Sequence, residues 1–424
     1  MEPSAECIIE SLAYGGDGVG RIEGRVVFVP ETVPGDRVAL RIVEDRGSFM
    51  RADLDEILDP SPDRVAPPCP YADRCGGCQW QHVKYEAQIR WKRTIVEENL
   101  RRIGGIVTDV QECRPCPEQW GSRTVARYPC ARESGRFVMG YHERRSHRIV
   151  DIDSCMAADG KVNAIAATIR SLATEIAGFS PVEITIHSSR NEESALVSMI
   201  APAGDDTIRF AERLTEVHSD IAGVVHRLES EERVGVCGDP YRVERIGDIR
   251  YRIEEQSFFQ TNALQAETLI DIVREAVGEC PGGTIVDGYG GVGLISLGVS
   301  GRDRDIHLYD LSATAVRDSR LNARENGFTR FTAHRFGPED AVRTIHGASV
   351  LILDPPRPGL GEKAVDASCG LGPRTIVYVS CNPSTLARDL SRFSSHGYRV
   401  ERVTPLDMFP HTYHIESVAV LVKA

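Results

Sequence analysis

The sequence lacks several features that mark specialised classes of protein. It has no apolar run of about 18 residues, which a membrane-spanning helix requires, so no membrane insertion is expected. Residues 1–10 show no basic region followed by an apolar run, so we predict no secretory signal and a cytoplasmic location. No internal repeat or low-complexity tract is present. The net charge of −12 argues against a uniformly basic nucleic-acid-binding protein.

The charge is distributed unevenly over the 424 residues, a length that suits about two to four domains. Residues 1–62 hold 6 Lys and Arg against 13 Asp and Glu, whereas residues 84–150 hold 14 against 8. The second stretch is mostly arginine, with aromatic residues such as Trp91, Tyr128 and Tyr141 interleaved. This composition suits contact with an RNA backbone and unstacked bases, although an ordinary solvated face has it too.

Turn residues and apolar runs divide the chain into regions. Up to about residue 60, short apolar runs separated by Gly and Pro predict a small β-barrel. A proline-containing linker follows, and residues 84–103 have apolar positions at helical spacing. Strand-like runs dominate from about 118 to 256. After about residue 257, helix-like and strand-like segments alternate, which predicts a parallel α/β sheet.

Cysteines are clustered in one short segment. The chain has 12 cysteines, and Cys69, Cys75 and Cys78 follow one another closely, with two glycines between the last two. In a reducing cytoplasm, clustered cysteines indicate a metal or catalytic site rather than a disulfide scaffold. A fourth ligand is needed, and Cys155 is a candidate. Zinc and an iron–sulfur cluster both remain open at this point.

A glycine-rich turn follows the first strand-like run of the C-terminal region. Asp287 ends that run, and the glycines after it permit a close approach of the backbone to a ligand. Asp310 ends the next run about 20 residues further on, where an acidic residue commonly binds ribose hydroxyls. NAD would fit such a turn equally well. The segment Asp354-Pro355-Pro356 instead favours a methyltransferase, because two prolines fix the backbone beside a substrate base, although a structural turn is the alternative.

Cys381 lies where a strand is expected to end and a helix to begin. The apolar run 375–379 precedes it, and a helix-like segment opens at residues 382–385. This edge of an open α/β sheet carries active sites, and the positive end of a helix favours the nucleophilic thiolate. A lone cysteine is more often a buried structural residue. Glu416 immediately precedes an apolar strand, as a solvated strand end or as a general base.

These motifs, taken in order, resemble those of the RNA uracil carbon-5 methyltransferases that use S-adenosylmethionine. The resemblance covers nearly the whole length. Besides the cysteines, it rests on Gly15-Gly16-Asp17-Gly18-Val19-Gly20-Arg21, Ser257-Phe258-Phe259-Gln260-Thr261-Asn262, the Asp-Pro-Pro-Arg segment from Asp354 and the Ser-Cys-Asn-Pro segment around Cys381.

The resemblance implies a role for each candidate residue. Cys381 would be the nucleophile that attacks uracil carbon 6, and Glu416 the base that removes the carbon 5 proton. The residues implied to bind S-adenosylmethionine are Gln260, Tyr289, Asp310 and Asp354. The residues implied to hold a 4Fe-4S cluster are Cys69, Cys75, Cys78 and Cys155.

The expected architecture is of the α/β class with three parts. Residues 1–62 would form a TRAM-like, RNA-binding β-barrel, residues 63–256 a central α+β domain with the iron–sulfur cluster, and residues 257–424 a class I, Rossmann-like methyltransferase domain. We expect segment 85–117 to pack on the catalytic domain. The expected partner is structured RNA with an unstacked uridine, ribosomal RNA (rRNA, as 23S) in preference to transfer RNA (tRNA), and the expected state is a monomer.

Some positions depart from the family pattern, and other functions stay open. Gly290 stands where the family commonly has Cys or Ser, Leu294 where some members have Asn, and Asp310 where Glu is more common. The strongly acidic N-terminal region is also unusual for an RNA-binding module. An adenine amino-group methyltransferase is a rival, although Arg357 replaces the aromatic residue usual in those enzymes. A non-catalytic RNA-binding protein is a third reading, against which Cys381 and Glu416 argue.

Overall fold

The N-terminal region is a closed five-stranded barrel. The computed structural model describes residues 5–278, 282–343, 345 and 347–424. Within the barrel the strand order is β1-β2-β3-β5-β4, and alternate side chains point inward. Glu23 and Gly24, both with positive φ, form a two-residue turn between the second and third strands. The strands are β1 Ala5–Leu12, β2 Gly18–Ile22, β3 Arg25–Val29, β4 Arg37–Asp45 and β5 Phe49–Asp59.

The segment after the cysteine cluster lies against the C-terminal sheet. Helix α1 (Tyr85–Asn99) continues into a π-helical turn, Leu100–Gly104, which ends at Gly105 in the left-handed region. Strand β6 (Asp109–Val110) then adds to the edge of the C-terminal sheet. Ile95 and Val96 of α1 are buried in the core that covers one face of that sheet. The hydrophobic spacing in residues 84–103 therefore marks a face that packs on the C-terminal sheet.

The central region is a seven-stranded sheet in the order β13-β12-β11-β10-β7-β8-β9. Two helices pack on it, and their apolar faces share one core with the strands. The elements are β7 Val125–Glu133, β8 Arg136–His142, β9 Ile149–Asp151, α2 Gly160–Glu175, β10 Glu183–Ser188, β11 Ala195–Ile200, α3 Asp205–Val217, β12 Ile221–Arg227 and β13 Arg233–Gly238.

A hairpin connects the central region to the C-terminal sheet. Its strands are β14 (Tyr241–Ile246) and β15 (Ile249–Glu254), and Gly247 adopts a positive φ in the turn between them. We expected these residues in the central domain. Ile246, Tyr251 and Ile253 instead pack in the same core as the helices and strands that follow residue 262.

The C-terminal region is an eight-stranded sheet with helices on both faces, in the order β18-β17-β16-β19-β20-β22-β21-β6. Strands β16 to β20 pair in parallel, whereas β22 lies antiparallel between β20 and β21. The elements are α4 Ala263–Gly278, β16 Ile285–Gly288, α5 Leu294–Val299, β17 Ile306–Tyr309, α6 Ala313–Glu325, β18 Phe331–His334, β19 Val350–Leu353, α7 Glu362–Gly370, β20 Thr375–Ser380, α8 Pro383–Ser395, β21 Tyr398–Leu406 and β22 Glu416–Lys423.

The buried strands explain why the alternation of helix-like and strand-like segments after about residue 257 could be recognised in the sequence. Every position of β20 is buried, as is typical of a central parallel strand that helices cover on both faces. A helix that spans a membrane would need to be longer and more apolar than any helix of the described residues.

Candidate active site

Strand register brings Cys381 and Glu416 together. Cys381 directly follows β20, and Asn382 caps α8 by accepting a hydrogen bond from the Ser384 amide at 3.0 Å. Because β22 runs antiparallel beside β20, with Ser380 opposite Ser417, the next residue out on each strand lies at the same edge of the sheet. Those residues are Cys381 and Glu416.

Burial and neighbouring carboxylates raise the pKa of both groups. Glu416 is only 5% exposed, and burial followed by the nearby Asp354 carboxylate raises its pKa well above the usual value. Burial, then Glu416 and Asp354, raise the pKa of Cys381 to about 11. Burial therefore opposes the favourable effect of the helix end on the thiolate form of Cys381. Arg357 opposes both shifts and is the cation that favours the reactive forms.

A pocket at the ends of β16 and β19 brings most of the predicted cofactor residues together. Gln260, Tyr289 and Asp354 line it, along with the glycine turn. Burial raises the pKa of Asp354 to about 7. Tyr289 has a φ of +63°, which turns the chain sharply at the end of β16.

Asp310 lies beside this pocket and supports its glycine turn. Its two carboxylate oxygens accept hydrogen bonds from the amides of Gly291, at 3.0 Å, and Ser312, at 2.7 Å. It is not among the side chains that line the pocket within the described residues. The structure therefore places Asp310 where it orders the turn.

Asp287 belongs to the same pocket, although we did not single it out as a ligand-binding residue. It is 1% exposed, and Ser296 is its neighbouring donor, although neither carboxylate oxygen forms a hydrogen bond of ordinary geometry among the described residues. Burial, with added repulsion from Asp354 and Asp310, raises its pKa to about 7 despite the nearby Ser296. A buried carboxylate without a partner suits a ligand that donates hydrogen bonds. The position of Asp287 between a strand and a glycine turn could have identified it as a ligand-binding residue from the sequence.

The four cysteines of the predicted cluster face one small pocket. Cys69, Cys75, Cys78 and Cys155 line it together with Arg123. Burial raises the pKa of Cys75 to about 11, with further contributions from the other three thiols. Their donor chemistry fits a thiolate-bound group. In the described part of the chain, however, no three His, Cys, Asp or Glu side chains are arranged so that they could hold a metal ion.

The N-terminal barrel also reaches this edge of the sheet. The hydroxyl of Tyr14 donates a hydrogen bond to the backbone oxygen of Cys381 at 3.1 Å. Tyr14 also lines a cleft of about 830 Å³ between the barrel, the cysteine segment and the strand pair β8–β9. Arg51, Arg144 and Arg145 line the cleft beside acidic residues such as Asp17. The contact between Tyr14 and Cys381 was not predicted, since 367 positions separate the two residues in the sequence.

Comparisons with known proteins agree with this arrangement. Residues 241–424 match the family model described as tRNA (Uracil-5-)-methyltransferase, and residues 6–54 match that of the TRAM domain. An uncharacterised RNA methyltransferase of Halalkalibacterium halodurans is 32% identical, over 98% of this chain and 96% of that protein. Another uncharacterised RNA methyltransferase, from Thermosynechococcus vestitus, is 33% identical over 99% of this chain and 98% of that protein.

One solved structure is similar along its whole length. It is the Pyrococcus abyssi tRNA (uracil-54, C5)-methyltransferase in complex with S-adenosyl-L-homocysteine. The TM-score is 0.78 and the sequences are 27% identical, with 99% of this chain and 100% of that chain covered.

Proposed function

The chain belongs to the RNA (uracil-5-)-methyltransferase family, and we propose that it methylates carbon 5 of a uridine in structured RNA through a covalent adduct with Cys381. The observation that carries this proposal is the register of β20 and β22, which sets a thiol beside a buried carboxylate. The pocket with Asp287 and Asp354 opens at the same edge, where a methyl donor would bind.

The two side chains suit successive steps of this reaction. The Cys381 thiolate, favoured by Arg357, attacks carbon 6, and the carbon 5–carbon 6 double bond opens to an enolate. Bound S-adenosylmethionine would supply the methyl group to carbon 5, and its sulfonium would become the neutral thioether of S-adenosylhomocysteine. The Glu416 carboxylate then removes the carbon 5 proton, and the carbon 6–sulfur bond breaks to release Cys381 as a thiolate. The thiolate that began the reaction is thereby regenerated without any net redox change.

The cofactor pocket supports binding of S-adenosylmethionine. Gln260, Tyr289 and Asp354 line it, and Asp310 orders its glycine turn, as the family resemblance implies. We add Asp287, whose unpartnered oxygens suit the donors of the amino acid or ribose part. The structural relative, itself in complex with S-adenosyl-L-homocysteine, supports this assignment.

We also propose that Cys69, Cys75, Cys78 and Cys155 hold a 4Fe-4S cluster. What supports this is one pocket that all four thiols share, together with the family resemblance. A bound cluster would tie the segment before α1 to the segment before α2. Visible absorbance with matching iron and sulfide content in protein purified without oxygen is the expected result. Stoichiometric zinc would contradict it.

The proposed target is rRNA. We also propose that the protein is cytoplasmic and acts as a monomer. The preference for rRNA over tRNA rests on the TRAM domain combined with the cysteine motif, while the solved relative acts on tRNA according to its name. To test this, the protein is incubated with unmodified rRNA or tRNA and methyl-labelled S-adenosylmethionine, and the labelled nucleosides are then identified. Labelled 5-methyluridine is expected, in rRNA. Label in tRNA alone would reverse the choice of target, and labelled methyladenosine would overturn the reaction.

The control for this test is a second cysteine outside the site. Cys381→Ala is expected to abolish labelling, whereas Cys369→Ala, on α7, is expected to label RNA like the wild type.

A further inference from the structure

We propose that Tyr14, which the N-terminal barrel carries, is a positioning residue for Cys381. This inference rests on the proposed role of Cys381 as the nucleophile. The Tyr14 hydroxyl donates its hydrogen bond to the Cys381 carbonyl, at the point where the backbone leaves β20 and enters α8. The barrel would then be part of the active site as well as an RNA-binding module.

The turn that carries Tyr14 is shaped to reach the catalytic sheet. Gly15 and Gly16 have φ values of +120° and +101°, which other residues rarely adopt. The Gly16 carbonyl accepts a hydrogen bond from Nε1 of the buried Trp80 at 3.0 Å. A Cβ atom at Gly16 would lie 3.1 Å from Cδ1 of Tyr413. The backbone therefore approaches the catalytic domain closely, and a side chain at this position would press against Tyr413.

Tyr14 contacts the backbone of Cys381 and the loop that precedes Glu416. Besides its hydrogen bond to Cys381, its ring packs edge-on against Tyr413, with 5.7 Å between centroids, in the loop that leads to Glu416. Burial, with smaller contributions from Cys381 and Glu416, raises the pKa of Tyr14 to about 12, so its hydroxyl remains a donor at neutral pH. The Tyr14 side chain thus links the backbone of Cys381 to the loop that leads to Glu416.

The test removes only the hydroxyl. Tyr14→Phe keeps the ring contact with Tyr413 and loses the donor. The matched control is Tyr398→Phe, because the Tyr398 hydroxyl also donates to a backbone carbonyl, that of Pro373, at 3.0 Å. Tyr398 pairs with Lys423 at the end of the sheet opposite the site, whereas Leu406 of the same strand pairs with Glu416. The two variants therefore lose the same kind of bond at different places.

Three quantities are measured in the full-length variants. They are kcat, KM for RNA, and the iodoacetamide alkylation rate of Cys381 relative to Cys369 by peptide mass spectrometry. Cys369 is a suitable internal reference, since burial raises its pKa to about 11 as well. In Tyr14→Phe, kcat is expected to fall about 10-fold while KM stays within about 2-fold, and the alkylation ratio to change at least about 3-fold. Tyr398→Phe is expected to match the wild type in both.

The outcomes separate this inference from the proposed function. An unchanged alkylation ratio in Tyr14→Phe overturns the positioning role, even if kcat falls. An unchanged kcat overturns it as well, and so does an equal response of Tyr398→Phe. If the wild-type protein methylates no RNA, the proposed function fails, and the alkylation ratio alone decides whether Tyr14 controls Cys381.

Discussion

At the scale of single residues, one arginine faces a thiol and a buried carboxylate. Arg357 lowers the pKa of both Cys381 and Glu416, while burial and Asp354 raise them. In the proposed mechanism, Cys381 and Glu416 both react in their deprotonated forms. The burial that raises the pKa of both groups therefore opposes the proposed reaction.

The methylation rate is consequently expected to rise with pH between about 6 and 9. The basic forms of Glu416 and Cys381 increase with pH over this range, because burial raises the pKa of both groups, that of Cys381 to about 11. Arg357→Gln should shift the rising limb to higher pH, since the opposing charge is lost, whereas Arg399→Gln, on the exposed surface, should not. Initial rates at constant ionic strength measure this. A rate that falls over this range would contradict the assignment.

Glu416→Gln is expected to trap the enzyme on its RNA. The amide keeps the shape of the carboxylate but accepts no proton, so methyl transfer proceeds and release of the adduct does not. Steady-state turnover should fall by about 100-fold or more, the usual contribution of a general base. Denaturing gels of quenched reactions report the persistent protein–RNA complex. Rapid release of methylated RNA by this variant would mean that another group is the base.

At the scale of elements, the glycine turn after β16 depends on its neighbour strand. A Cβ atom at Gly290 would lie 2.6 Å from Cδ1 of Leu308 in β17, and 2.8 Å from an Asp287 oxygen. The family residue at this position is commonly larger, so Leu308 explains why glycine is required here. The turn and β17 are therefore matched as a pair.

Gly290→Ser is accordingly expected to lower the free energy of unfolding by about 1–3 kcal/mol through overpacking. The double variant Gly290→Ser, Leu308→Ala should lose less than the sum of the two single changes, because the smaller side chain makes room. Urea denaturation of the four proteins measures the coupling. Strict additivity would show that Leu308 does not crowd this position.

Helix α1 is held on the catalytic sheet by a buried ion pair. Lys92 pairs with Asp407 just after β21 and donates to the Phe409 carbonyl at 3.2 Å, while the Tyr85 hydroxyl donates to Asp407 at 2.8 Å. Both charged side chains are fully buried. Burial leaves each charge dependent on its partner for compensation.

Lys92→Met is therefore expected to cost about 3–5 kcal/mol of stability, since Asp407 stays buried without its cation. Adding Asp407→Leu should recover most of that loss. Chemical denaturation at neutral pH provides the comparison. A double variant no more stable than Lys92→Met would indicate that the uncompensated charge of Asp407 is not the cause of the loss in stability.

The sequence predicted the elements better than their packing. The four strand-like runs near residues 284, 305, 350 and 375 correspond to β16, β17, β19 and β20, because buried parallel strands are almost wholly apolar. The two-residue strand β6 has no such pattern, since it is too short to show one. The β14–β15 hairpin was placed in the central region because local patterns do not reveal which core a strand enters.

At the scale of the whole molecule, the barrel and the C-terminal sheet share a core. Leu12 and Val33 of the barrel region, with Trp80, are buried in the same cluster as α1 and α8. The resemblance in sequence predicted the TRAM barrel and the methyltransferase fold, which the comparisons confirm. Tyr14 and Asp287 were not predicted as site residues, because their roles depend on contacts between distant segments and on burial.

In the proposed mechanism, Cys381 forms a covalent bond to carbon 6 of its target uridine. RNA that carries 5-fluorouridine at the target blocks the removal step, so the methylated adduct should accumulate. Digestion and mass spectrometry should then locate the nucleotide, with one added methyl group, on the peptide that contains Cys381. A methylated product with no adduct, or an adduct on any other cysteine, would contradict the account.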